Sequence, residues 1–217
     1  MMFDQNDLSA TLIHELKNHL SLLALTIDNI PLQNDKAHDK PVEDARLLCQ
    51  QVVDRLQQAL LIYKAVNGQI RPSIDAYSPE DLIRELSDTA VALSRGGIEI
   101  ATHIDSNVPP IWFFDRNLIE MALLNAIHNS LAYARTKITL AASIHEEMLS
   151  LSVKDDSTGY PEHVLNNVDA GSPFRAVGTG LGLQFAKLIV QTHVNKNRVG
   201  TLRLSNDAGA VFQLLVP

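Results

Sequence analysis

The chain has 217 residues, 46% apolar and 20% charged, and a formal charge of −7, which allows one large or two small globular domains with a real core. Six Phe, four Tyr and one Trp give no stacking platform for nucleic acid, and the acidic balance argues against a phosphate-backbone binder. No apolar run approaches the ~20 residues of a membrane span, the polar, acidic start argues against a secretory signal, and the single cysteine, Cys49, excludes a disulfide framework or multi-cysteine zinc site while fitting a reducing cytoplasm.

Residues 5–30 carry apolar side chains at 8, 12, 16, 20, 23, 27 and 30, the three- and four-residue steps of an amphipathic helix. Pro31 and the polar run to Pro41 end it. A second stripe through Ala45, Leu48, Val52, Leu56, Ala59, Leu60, Tyr63 and Val66 predicts a helix over 42–67, closed by Asn67-Gly68. Two such helices on a short loop make an antiparallel hairpin that leaves part of each apolar stripe uncovered. Pairing two hairpins into a four-helix bundle covers them, so a homodimer is expected.

From Tyr77 the pattern turns to mixed α/β, which places the boundary near 67–77 and the domains at 1–72 and 73–217. Ser78-Pro79-Glu80-Asp81 starts a helix that runs to about Ser94. A strand is expected over 98–104 and a long helix over 115–134. Strands at 136–144 and 148–153 should pair about His145-Glu146-Glu147. A helix over 181–193 and a hairpin of 201–205 with 210–216 complete the chain. The fold class is α+β: a helical hairpin, then an α/β sandwich.

Four short motifs carry chemistry. In His14-Glu15-Leu16-Lys17-Asn18, His14 stands about 200° round the helix from the apolar stripe through Leu12 and Leu16. An exposed histidine beside a carboxylate can act as a nucleophile, or simply be a surface His–Glu pair. His19 is five residues on, so the zinc-protease spacing fails. Asn125 and Asn129, four apart, project two amides from one face of an apolar helix, which suits a shared ligand such as phosphate-bound Mg²⁺ or a buried amide network. Lys154-Asp155-Asp156-Ser157-Thr158-Gly159 puts acids directly after a strand, where one can accept from a base's exocyclic amine or form a common acidic turn. Gly178-Thr179-Gly180-Leu181-Gly182-Leu183 opens a helix with backbone N–H groups free to approach polyphosphate. No strand precedes it and no Gly-Lys-Ser/Thr follows, so neither a dinucleotide fingerprint nor a Walker loop fits.

The order of these motifs resembles the transmitter core of two-component sensor histidine kinases over nearly the whole chain. Residues 5–70 look like the dimerisation and histidine-phosphotransfer hairpin, and 77–217 like the GHKL-type ATP-binding domain. The resemblance makes His14 the phosphoacceptor, Glu15 its base and Asn18 a water-positioning group for dephosphorylating a partner. It makes Asn129 the Mg²⁺ ligand with Asn125 beside it, in a box that runs on to Tyr133. It makes Asp155 the adenine-amine acceptor, with Gly159 in the same box, and Phe174 the lid phenylalanine. Gly178, Thr179, Gly180, Leu181 and Gly182 match the second glycine box.

The chain departs from the pattern at four places. His19 replaces a usual proline, Ser157 a usual glycine, Ala132 a frequent cation, and three residues alone separate Phe174 from Gly178. The implied activity is ATP- and Mg²⁺-dependent autophosphorylation, with transfer to a response-regulator receiver domain. A histidine phosphotransferase and a regulatory ATP-binding module are the alternatives. A hairpin that begins almost at residue 1 also implies a signal delivered by a separate sensor protein.

Overall fold

The computed structural model describes residues 70–94, 96–170 and 181–217, together with Leu22, Leu23 and Thr26; at 167–170 and 181 it describes the backbone alone. The chain divides into two units, Met1–Gln69 and Ile70–Pro217. The expected hairpin, with the bundle and homodimer built on it, lies outside the described residues. The three exceptions are helical, and the Thr26 hydroxyl donates to the Leu22 carbonyl at 2.8 Å. No described helix is long and apolar enough to cross a membrane.

In the second unit the elements run β1 (Asp75–Tyr77), α1 (Pro79–Ser94), β2 (Glu99–Ile104), β3 (Trp112–Phe114), α2 (Arg116–Tyr133), β4 (Lys137–His145), β5 (Met148–Asp155), α3 (Glu162–Ala170) and α4 (Leu181–Gln191). The short strands β6 (Val194–Asn195) and β7 (Arg198–Val199) follow, then β8 (Thr201–Asn206) and β9 (Ala210–Val216). Five strands form one sheet in the order β2-β4-β5-β9-β8. Only β2 and β4 pair parallel, and a parallel pair needs a crossover, which runs through β3 and α2.

Alternation along the strands explains the core. Leu140, Val153 and Phe212 sit opposite one another across β4, β5 and β9, as do Ala142, Leu151 and Leu214. All six are buried. Helix α1 lies over β2 and β4, α2 over β5, and α4 over β8 and β9. They bring in Leu82, Ile83 and Leu86, then Ile119, Leu123 and Ile127, then Phe185 and Ile189, all buried. Each large side chain so removed from water stabilises by about 1.5–3 kcal/mol.

The expected strands and helices recur within a few residues, and the β4–β5 turn falls at Glu146 and Glu147, both with positive φ (51° and 60°), as two-residue hairpins prefer. Five elements go beyond the sequence reading. β1 and β3 form a separate two-stranded sheet, each too short for periodicity to register. Helix α3 starts after Pro161, with Val164 N–H bonded to the Pro161 carbonyl at 2.9 Å. The pair β6 and β7 turns on Lys196, at φ 53°. Helix α4 stops at Gln191, not 193, because the Thr192 and His193 N–H groups bond back three residues to Ile189 and Val190.

That early stop buries His193 at 2% exposure and directs its ring to the start of α2. Asp115 caps α2, its Oδ1 accepting from Leu118 N–H at 3.0 Å, while its Oδ2 accepts from Ser73 N–H at 2.7 Å. The Asp115 N–H donates to His193 Nε2 at 3.0 Å, and His193 Nδ1 bonds the Ile189 carbonyl at 3.1 Å. This pattern holds the imidazole neutral with its proton on Nδ1. Burial pushes its pKa below the ordinary 6.5, against smaller raising effects from the Ile189 carbonyl and the Asp115 charge.

Two outcomes follow for urea unfolding read by Trp112, the chain's single tryptophan. Asp115→Ala loses the cap and the Ser73 bond, and should cost about 2 kcal/mol or more. The unfolded chain takes up the histidine proton near pH 6.5 while the folded one resists, so the His193 contribution is complete above pH 6.5. It is lost progressively as pH falls from there toward the depressed folded value. His193→Gln should flatten that part of the pH profile; an unchanged profile would show that His193 does not govern it.

Candidate functional site

The second motif turns out to be a stripe of graded burial along α2. Asn125 is 5% exposed, Asn129 half-buried and Tyr133 66% exposed, so the stripe runs from the interior to an open rim. Asn125 lies under the first turn of α4. A Cβ built on Gly182 would stand 2.4 Å from Asn125 Nδ2 and 2.7 Å from its Oδ1. Glycine at 182 is therefore required by the close approach of α4 to α2, a packing reason beside any approach to phosphate. The Asn125 amide belongs to this helix contact, and Asn129 stands nearer the open rim.

Asp155 ends β5 and is buried at 5% exposure. Its Oδ2 accepts from Ser130 Oγ at 2.7 Å, and its Oδ1 from the N–H groups of Ser157 at 3.0 Å and Ala210 at 3.3 Å. A buried carboxylate without such partners would be strongly destabilising. Ser130, on α2 beside Asn129, is the residue that the sequence reading missed. Its burial, at 6% exposure, shows only in the fold, where it is the second buried polar residue of α2 after Asn125.

The loop beyond Asp155 is pinned by three side chains. Ser157 Oγ accepts from Gly159 N–H at 3.1 Å, and Ser157 is not among the described residues with positive φ. Serine can thus stand at this position without the backbone freedom of glycine. Gly159, at φ 86°, has the Asn206 amide 2.6 Å from its notional Cβ, and Asn206 clamps Tyr160 by accepting from its N–H at 2.7 Å and donating to its carbonyl at 2.9 Å. Tyr160's phenol is pushed well above its ordinary value, by burial first and by the nearby Asp155 charge second. Asp156 turns to the other side, where its carboxylate accepts from the Thr136 hydroxyl and the N–H groups of Thr136 and Arg135. Those bonds hold its pKa well below the carboxylate range.

The structure therefore brings Ser130 of α2 to Asp155, and Asn129 and Tyr133 stand on the same end of that helix. Of the glycine box, Leu181 and Gly182 open α4. Gly178, Thr179, Gly180 and the lid residue Phe174 lie outside the described residues, as do His14, Glu15 and Asn18.

Residues 114–217 match the family described as histidine kinase-, DNA gyrase B- and HSP90-like ATPases. The second unit is similar over this stretch to the ATPase domains of that family. The signal transduction histidine-protein kinase AtoS of Escherichia coli is 26% identical over 217 residues, covering 97% of this chain and 34% of that protein. Sensor histidine kinase CpxA of E. coli is 25% identical, covering 89% of this chain and 43% of that protein. The chain spans at most 56% of the length of the first curated relatives it matches. Among solved structures, Acinetobacter baumannii histidine kinase AdeS shares the fold at TM-score 0.66 and 17% identity, over 94% of this chain and 96% of that one.

Gly182→Ala should overpack the α2–α4 contact and destabilise by about 1–3 kcal/mol. The measurement is a urea midpoint from Trp112 fluorescence. Pairing it with Asn125→Ser should recover part of the loss, and a single variant as stable as the parent would contradict the close approach.

Proposed function

We propose that the chain is the transmitter part of a two-component histidine kinase. It would move the γ-phosphoryl group of ATP to His14 and hand it to an aspartate of a response-regulator receiver domain. The observation that carries this reading is an ATPase-like unit in which a buried acid, Asp155, is held by three hydrogen bonds at the end of a strand, preceded in the chain by His14-Glu15-Leu16-Lys17-Asn18. The relatives AtoS and CpxA, named as histidine kinases, support it. The solved complex of histidine kinase ThkA with response regulator TrrA supports the receiver partner; it shares the fold at TM-score 0.64 and 17% identity, over 97% of this chain and 61% of that one.

In this reading an unprotonated ring nitrogen of His14 attacks the γ-phosphorus. The bond to the oxygen bridging the β-phosphate breaks, and ADP leaves with the electron pair. Glu15 takes the proton from the other ring nitrogen, leaving a neutral phosphoimidazole. Asn18 orients water for the reverse duty of dephosphorylating the receiver. Backbone N–H groups from Gly178 to Gly182 would donate to the phosphates, and Phe174 would take the lid role. Asp155 accepts from the adenine amine, with Gly159 and Tyr133 at the edges of the site.

The donor set fits Mg²⁺. Among the described residues no cluster of three His, Cys, Asp or Glu could hold a metal alone, whereas an amide oxygen of Asn129, with Asn125 beside it, suits an ion that takes its other ligands from phosphate and water. Bound there, Mg²⁺ would offset negative charge on the phosphate oxygens. A second copy would pair with the chain through residues 5–70, whose apolar stripes it would cover.

Incubation of the full chain with γ-labelled ATP and Mg²⁺ tests the reading. Acid-labile label should appear, persist in His19→Gln and vanish in His14→Gln, and Asp155→Asn should weaken nucleotide binding about tenfold or more. Nucleotide binding without phosphohistidine would leave a regulatory ATP-binding module. Label accepted only from a phosphorylated receiver would leave a phosphotransferase.

A further inference from the structure

We infer that Ser130 is the positioning residue that sets base selectivity at the nucleotide site, by committing the Asp155 carboxylate to a single remaining hydrogen bond. The inference rests on the reading of Asp155 as the group that meets the base. A carboxylate offers about four acceptor directions. Ser157 N–H and Ala210 N–H take two on Oδ1, and the Ser130 hydroxyl takes one on Oδ2. One direction is left, on Oδ2.

The proton balance of the pair decides what that direction accepts. An ionised carboxylate only accepts, so the Ser130 hydroxyl must spend its one proton on Asp155. The remaining direction on Oδ2 then presents only a lone pair to a ligand. A base edge with an exocyclic amine meets an acceptor and gains a charge-assisted bond. A base edge with a carbonyl in that place meets lone pairs and is repelled. Ser130 is buried at 6% exposure, on the same helix turn as Asn129, so its hydroxyl is fixed by α2 rather than by solvent. Without it, Oδ2 regains a second open direction, the carboxylate loses its rotational anchor, and the single amine contact is no longer aimed.

Calorimetric titration of the full chain with ADP and with IDP, whose base carries a carbonyl in place of the amine, tests this. The parent should prefer ADP. Ser130→Ala, and Ser130→Cys, which keeps the volume but donates weakly, should bind ADP about tenfold more weakly and IDP within about twofold of the parent. The ADP/IDP ratio should therefore fall about tenfold, and Ser130→Thr should restore it. A merely structural role for Ser130 would weaken both nucleotides alike and leave the ratio unchanged, which would overturn the inference. Asp155→Asn separates the two levels: its amide can donate, so it should shift preference toward IDP. If that variant leaves the ratio untouched, the reading of Asp155 itself fails; if it shifts the ratio and Ser130→Ala does not, only the role of Ser130 fails.

Discussion

The second unit is organised by one requirement: the carboxylate of Asp155, buried at the end of β5, must find donors without water. It finds them on three different pieces of chain, a hydroxyl from α2, an N–H from its own loop and an N–H from the first residue of β9. Meeting that requirement fixes the C-terminal half of α2 over β5 and sets where the β8–β9 turn must come. A hydrophobic contact could hold the same elements together but would tolerate sliding. Three directed bonds to one charged group do not, and a nucleotide site needs that constancy of position.

The other end of α2 is staked by a second carboxylate. Asp115 caps the helix and draws in both the chain entering the unit at Ser73 and, through its backbone N–H, the buried imidazole of His193 at the end of α4. Asp156 holds the residues just beyond α2 by accepting from the N–H groups of Arg135 and Thr136. The helix that carries Asn125, Asn129 and Ser130 is thus located at both ends by ionic hydrogen bonds and along its length by apolar packing.

Much of this was legible because the signals were local. Helix α1 announces itself through Ser78-Pro79-Glu80-Asp81, α2 through its length and apolar content, and the β4–β5 and β8–β9 pairs through alternating runs separated by turn residues. What escaped was short or distant. β1 and β3 are three residues each, and pair across a separation of nearly forty positions. Ser130 reads as helix filling until Asp155, 25 residues on, is brought beneath it. Tyr160 and Asn206, 46 positions apart, form a two-way backbone clamp that no pattern within either segment suggests.

The sequence by itself determined the kind of unit this is: an asparagine-bearing helix, an acid after a strand and a glycine-rich helix start, each fixed by residue type and spacing within one element. The tertiary structure alone decided how those groups divide their work. It assigned Asn125 to the contact with Gly182, left Asn129 toward the rim, freed position 157 from any need for glycine, and gave Asp155 its hydroxyl partner. The physical reason is that burial and hydrogen-bond satisfaction belong to pairs of groups brought together across the fold, and a linear chain displays only one member of each pair at a time.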